Sequence, residues 1–132
     1  MHSQQPVAFL FNLDEDMDTS QEFLAFKAEN SGPKHQEFHN RHEPWANSLI
    51  QFDLFGPDGE LVRETVRFNW QDYSCSSFMS HMIIDEEFLP AGEYRLVVDV
   101  YHWDNTFVDR NEEYGRIIVD LLSYRNVNFR QE

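Results

Sequence analysis

The chain has 132 residues, 41% of them hydrophobic and 15% aromatic, with twelve Phe, so it can build one substantial core and is not a disordered polymer. Asp and Glu number 24 against 10 Lys plus Arg, and the formal net charge of −14 would repel both a phosphate backbone and an anionic membrane surface. That field excludes a general nucleic-acid binder, while five Gly, five Pro and the lone Cys75 exclude fibrous, proline-rich and disulfide-stapled classes.

No apolar run approaches the ~20 residues that a bilayer span requires, so no integral membrane association is expected. The start, Met-His-Ser-Gln-Gln-Pro, has neither the basic opening nor the apolar run of a secretory signal. With a single cysteine, this leads us to expect a cytoplasmic protein. The natural complement of such an acidic chain is a basic protein surface or a divalent cation.

In chain order, Val7 to Phe11 read as a first strand ending in the acidic stretch Asn12 to Asp18. The next segment has two readings. Extended, it places Leu24, Phe26 and Ala28 on one face. Helical, it starts near Thr19 or Ser20 with Glu22 as a capping-box partner of Thr19, and brings Phe23 and Phe26 together. Residues 29–46 are polar, broken by Gly32-Pro33 and Pro44, and read as one long loop inside a single domain of residues 1–132.

A hairpin follows. Leu49 to Phe55 alternate in polarity, Gly56-Pro57-Asp58-Gly59 has the chemistry of a tight turn, and Leu61 to Phe68 alternate again. Trp70 to Ser77 form a polar connection and Phe78 to Ile84 another strand, stopped by Asp85-Glu86-Glu87. The segment Leu89-Pro90-Ala91-Gly92-Glu93-Tyr94 turns directly into a strand whose Tyr94, Leu96, Val98 and Val100 share a face. Asp104 to Glu113 read as a second acidic loop, Arg116 to Leu122 as a late strand, and Tyr124 to Phe129 as a short edge strand. Seven or eight short strands without repeated helices predict an all-β, antiparallel sandwich.

Phe68-Asn69-Trp70 and the run from Leu89 to Val100, with its proline-glycine turn before a Tyr-headed strand, resemble part of the C2-like (domain III-like) β-sandwich of the calpain family. The resemblance covers the latter half of the chain. It implies an acidic, noncatalytic partner of a protease domain, with calcium or phospholipid as influences. The family's protease motifs are not found. Cys75 lies in Tyr73-Ser74-Cys75-Ser76-Ser77 rather than Gln-Gly-x-x-Gly-Asp-Cys-Trp, and Glu43-Pro44-Trp45 is not Asn-Pro-Trp.

Two acidic clusters have the oxygen chemistry of a calcium site, which needs several carboxylates converging in a flexible loop. One is Asp14, Asp16 and Asp18; an EF-hand beginning at Asp14 fails, because Thr19 and Ala25 stand where Gly and Glu are needed. The other pairs Asp85, Glu86 and Glu87 with Asp104, Asp109, Glu112 and Glu113, and residues 104–113 lie at one sandwich end if the strands 94–101 and 116–122 are antiparallel neighbours; Asp85, Asp104 and Asp109 are its candidate metal ligands. Glu86, Glu87, Glu112 and Glu113, with Trp45 as an aromatic anchor, form a candidate docking surface for a partner's Lys or Arg. A solvated face is the simpler reading of each cluster.

His35, His39 and His42 have helical spacing for zinc, but the surrounding Gly and Pro oppose a helix. Cys75 would need His81 or His102 within hydrogen-bond reach to act as a nucleophile, and nothing in the spacing requires it. Trp70 and Trp103 suit closure of the core ends. The expected function is therefore a noncatalytic acidic protein-interaction module. The alternative is a calcium-responsive regulatory or membrane-targeting module of calpain type.

Overall fold

A computed structural model describes residues 6–31, 49–68, 78–101 and 116–132. These residues form ten strands and no helix: β1 (Val7–Leu13), β2 (Met17–Asp18), β3 (Leu24–Ser31), β4 (Leu49–Phe55), β5 (Leu61–Phe68), β6 (Phe78–Ile84), β7 (Phe88–Leu89), β8 (Gly92–Tyr101), β9 (Arg116–Ser123) and β10 (Phe129–Gln131). The seven longer strands fall on the strand segments read from the sequence, except that β3 continues through residues 29–31, which the sequence assigns to the long loop and which ladder pairing with β6 and β9 keeps extended. Three short strands complete the sheets. No helix among the described residues is long and apolar enough to cross a membrane.

The strands pair antiparallel in a five-stranded sheet ordered β10-β1-β8-β4-β5, a three-stranded sheet ordered β6-β3-β9, and the two-residue pair β2-β7. The two larger sheets face each other as a sandwich. Alternation dictates the core: Phe9, Phe11 and Leu13 of β1, Ile50, Phe52 and Leu54 of β4, and Tyr94, Leu96 and Val98 of β8 meet Leu24, Phe26, Ala28, Met82, Ile84 and Val119 from the opposite sheet. Phe11 stacks on Tyr94 with ring centres 5.2 Å apart and meets Phe26 across the layer at 5.6 Å. Phe129 fills the gap beside them, 4.9 Å from Phe9 and 6.1 Å from Phe26. Truncating a buried Phe of this kind to Ala typically costs about 3–5 kcal/mol, so these rings hold the two layers together.

Of the two readings for residues 19–28, the strand is correct. One turn does close at Asp18, whose carbonyl accepts from the Gln21 and Glu22 amides at 3.0 Å. The chain then enters between β6 and β9, where ladder bonds on both sides outweigh helical propensity. Phe23 stays 41% exposed beside Tyr124 instead of joining Phe26 in the core.

The condition that strands 94–101 and 116–122 be antiparallel neighbours is not met. β8 has β1 on one side and β4 on the other, so it has no free edge, and β9 pairs with β3 in the opposite sheet. The late edge strand is also displaced. Tyr124 to Asn128 carry the chain from one sheet to the other, and pairing with β1 begins only at Phe129.

The hairpin β4-β5 forms as its turn chemistry predicts. Gly59 donates to the Gly56 carbonyl at 2.9 Å, and Gly56 donates to the Glu60 carbonyl at 2.8 Å. Gly59 takes φ 83°, a region that costs a residue with a Cβ far more.

Candidate functional site

The described connections Asp14 to Phe23, Gly56 to Glu60, Asp85 to Ala91 and Tyr124 to Asn128 gather at one end of the sandwich. Tyr101 and Arg116, the strand termini bounding residues 102–115, lie at the other. Asp85 is therefore separated from those termini by the length of the strands. Asp104, Asp109, Glu112, Glu113 and Trp45 lie outside the described residues, as do Cys75, His35, His39, His42, His102, Trp70 and Trp103.

The first acidic cluster does not converge. Met17 is fully buried and pairs with Leu89, which turns the flanking Asp16 and Asp18 away from the core. Asp14 accepts from the Asn12 side chain at 3.0 Å, and Asp16 accepts from the Ala91 amide at 2.8 Å. Asp18 accepts from the Ser20 amide and hydroxyl at 3.0 and 2.6 Å, and these two bonds hold its carboxyl below the ordinary range. Each carboxylate thus serves a different donor. Among the described residues no three His, Cys, Asp or Glu side chains gather as a metal site.

Two arginines that the sequence did not single out organise this end. Arg125 donates to the Glu22 carboxylate at 2.6 and 2.8 Å and to the carbonyls of Glu15 and Asp16 at 2.8 and 2.7 Å. Arg63, on β5, reaches across to the other sheet. It bonds the Asp85 carboxylate and carbonyl at 2.7 Å each, Glu87 at 3.1 Å and the Ile83 carbonyl at 3.3 Å. The Arg63 guanidinium holds the Asp85 carboxyl below its usual range. Thr19 fastens the same loop, donating its amide and hydroxyl to the Glu87 carbonyl and accepting from the Glu87 amide. Between the two pinned acids Glu86 sits at φ 55°, exposed. The only hint of these clamps in the sequence was the scarcity of cations.

Tyr94 lies beneath the loop. Its hydroxyl donates to the Pro90 carbonyl at 2.5 Å, closing the Leu89-to-Tyr94 turn as a tyrosine corner does in many sandwiches. Burial first, then the nearby charges of Glu60 and Asp16, push its phenol up to about 12. Gly92, at φ 144°, lets Pro57 of the neighbouring turn approach so closely that a Cβ would stand 2.6 Å from the Pro57 Cγ.

Between the Gly56–Glu60 turn and the Glu87–Ala91 segment lies an open cleft of about 470 Å³. Leu61, 51% exposed, and Phe88, 63% exposed, line it with Pro57 and Pro90. Asp58, Glu60 and Glu87 bring carboxylates to it, and no Lys or Arg does. Glu87 is engaged by Arg63, but Asp58 and Glu60 have no ion-pair partner among the described residues. No family model, curated protein or solved structure matches this chain.

Proposed function

We propose that this chain is a noncatalytic, acidic protein-interaction module whose loop end attracts a basic protein surface. The carrying observation is how its cations are used. Lys27, Arg63, Arg95, Arg125 and Arg130 each lie within ion-pair distance of an acid of the same chain, Asp120, Asp85, Glu132, Glu22 and Glu93 respectively. These five of the ten Lys and Arg side chains are thereby occupied within the fold, and the carboxylates left over among the described residues face solvent under one sign of field. Asp58, Glu60 and Glu86 belong to this surplus, all exposed at the loop end. The Leu89-to-Val100 resemblance to calpain-type C2-like domains supports the same reading, because such domains act as noncatalytic partners.

The test is calorimetric titration with an arginine- and lysine-rich synthetic polypeptide across a salt series. Surface attraction of this kind weakens by about tenfold or more between about 0.05 and 0.5 M salt, as the screening length shrinks to a few ångströms. Binding that is absent, or indifferent to salt, would overturn the proposal.

A further inference from the structure

Resting on that reading, we propose that the cleft between the Gly56–Glu60 turn and the Glu87–Ala91 segment is the docking site, and that its occupant is an extended peptide segment alternating Arg or Lys with aliphatic side chains. Three observations carry it.

The floor and rim are chemically mixed in a way that neither solvent nor a metal ion satisfies. Leu61 and Phe88 present large apolar side chains at more than half their full exposure, on walls that also carry Asp58 and Glu60. A cation alone leaves the apolar surface wet, and a wholly apolar ligand leaves the carboxylates facing it without compensation. An extended chain lying between the two walls turns alternate side chains to opposite faces, so its positive members face Asp58 and Glu60 on the turn while its aliphatic members face Phe88 on the opposite wall.

The carboxylates are spread along the rim rather than converged, and no metal-binding group of three exists among the described residues. Calcium requires six to eight oxygens at 2.3–2.6 Å, whereas guanidinium and ammonium groups accept one or two carboxylates at a time. The arrangement therefore favours a side-chain cation over an ion.

The walls are also fixed before any partner arrives. The turn is closed by its own two backbone bonds. The opposite wall is pinned by Thr19, by Arg63, by the Ala91-to-Asp16 bond and by Tyr94 at its foot. Pro57 resting against Gly92 joins the two walls. A preformed cleft avoids the ordering cost that weakens binding by loose loops, and its volume lies within the about 300–1,000 Å³ of ligand clefts.

The experiment titrates the full chain with a blocked hexapeptide, Gly-Arg-Leu-Arg-Leu-Gly, and with an equally charged control bearing Ser in place of both Leu, while backbone amide shifts are followed by NMR. The expected result is stronger binding of the Leu peptide, with shifts concentrated at residues 57–62 and 87–91. The double variant Asp58→Asn, Glu60→Gln and the separate variant Phe88→Ser should each weaken binding by about five- to tenfold, in line with the loss of one charge-paired or apolar anchor. Both alter exposed side chains, and an unchanged far-UV spectrum and melting temperature verify that they fold. Equal binding of the two peptides, with shifts elsewhere, would overturn the cleft while leaving the acidic module standing. Failure of both peptides and of the basic polypeptide to bind would overturn the module as well.

Discussion

The Gly56–Glu60 turn and the Asp85–Ala91 loop face each other across one cleft and are both acidic, yet their carboxylates have opposite employment. The turn is held by local backbone bonds and the left-handed Gly59, and the side-chain carboxylates of Asp58 and Glu60 accept none of the bonds that close it. The loop is held from a distance, by Arg63 from β5 and Thr19 from the β2–β3 connection, and its Asp85 and Glu87 are what those groups hold. Where the backbone closes itself, the carboxylates stay outside the bonds of the fold. Where it does not, Asp85 and Glu87 become part of the fold, and Glu86 between them stays exposed.

The strongest way to break this contrast is to force the two walls apart. Gly92→Ala would place a methyl group against Pro57 in a backbone region unfavourable to any Cβ, and should lower unfolding free energy by about 3 kcal/mol in urea titration. An unchanged midpoint would show that the walls are not coupled. Next, Arg63→Met leaves Asp85 and Glu87 without their cation and should cost about 1–2 kcal/mol, discounted for solvent exposure. It should also speed hydrogen exchange in the loop but not in the turn.

A smaller loss, about 1 kcal/mol, is expected for Tyr94→Phe, which removes the bond to the Pro90 carbonyl. The pH dependence has a definite sign. The Tyr94 phenol is raised from 10.0 to about 12, so its contribution is fully present below pH 10 and is lost as pH rises from 10 through 12. Tyr94→Phe should abolish that alkaline limb of the melting curve. Asp85 and Asp18 are lowered from 3.8, so their contributions hold above that value and fade as pH falls below it. Asp85→Asn should flatten the acid limb. Smallest in stability is Asp58→Asn with Glu60→Gln, expected within about 0.5 kcal/mol of the parent, its effect appearing in peptide binding instead. A large destabilisation would erase the distinction between turn and loop.

Much of the scaffold was legible because its signals are local. Alternation from Leu49 to Phe55 and from Leu61 to Phe68, with Gly56-Pro57-Asp58-Gly59 between them, specified the hairpin and its turn. The Leu89-to-Tyr94 turn was legible as a turn, although the bond from Tyr94 to Pro90 was not. Residues 19–28 were ambiguous because Thr19, Glu22, Phe23 and Phe26 also satisfy a helical pattern, and pairing with β6 and β9 decided against it. The assignment of β8 and β9 to different sheets depends on which edges are already filled, a long-range fact that periodicity does not contain. The same holds for the site. Asp58 and Asp85 look alike in sequence, and only the reach of Arg63 across the sandwich distinguishes an acid that is spent from one that is not.

Arg63 has a further consequence. β5 and β6 end their sheets on the same side, and among the described residues no further strand pairs with either. By donating to the Ile83 carbonyl, the Arg63 guanidinium occupies an acceptor at the end of β6, and its bulk and charge stand where an intruding strand would have to align. A side chain that fastens a loop would also make that corner a poor template for an added strand. Its removal would be felt in how the protein behaves when concentrated as well as in how firmly it folds.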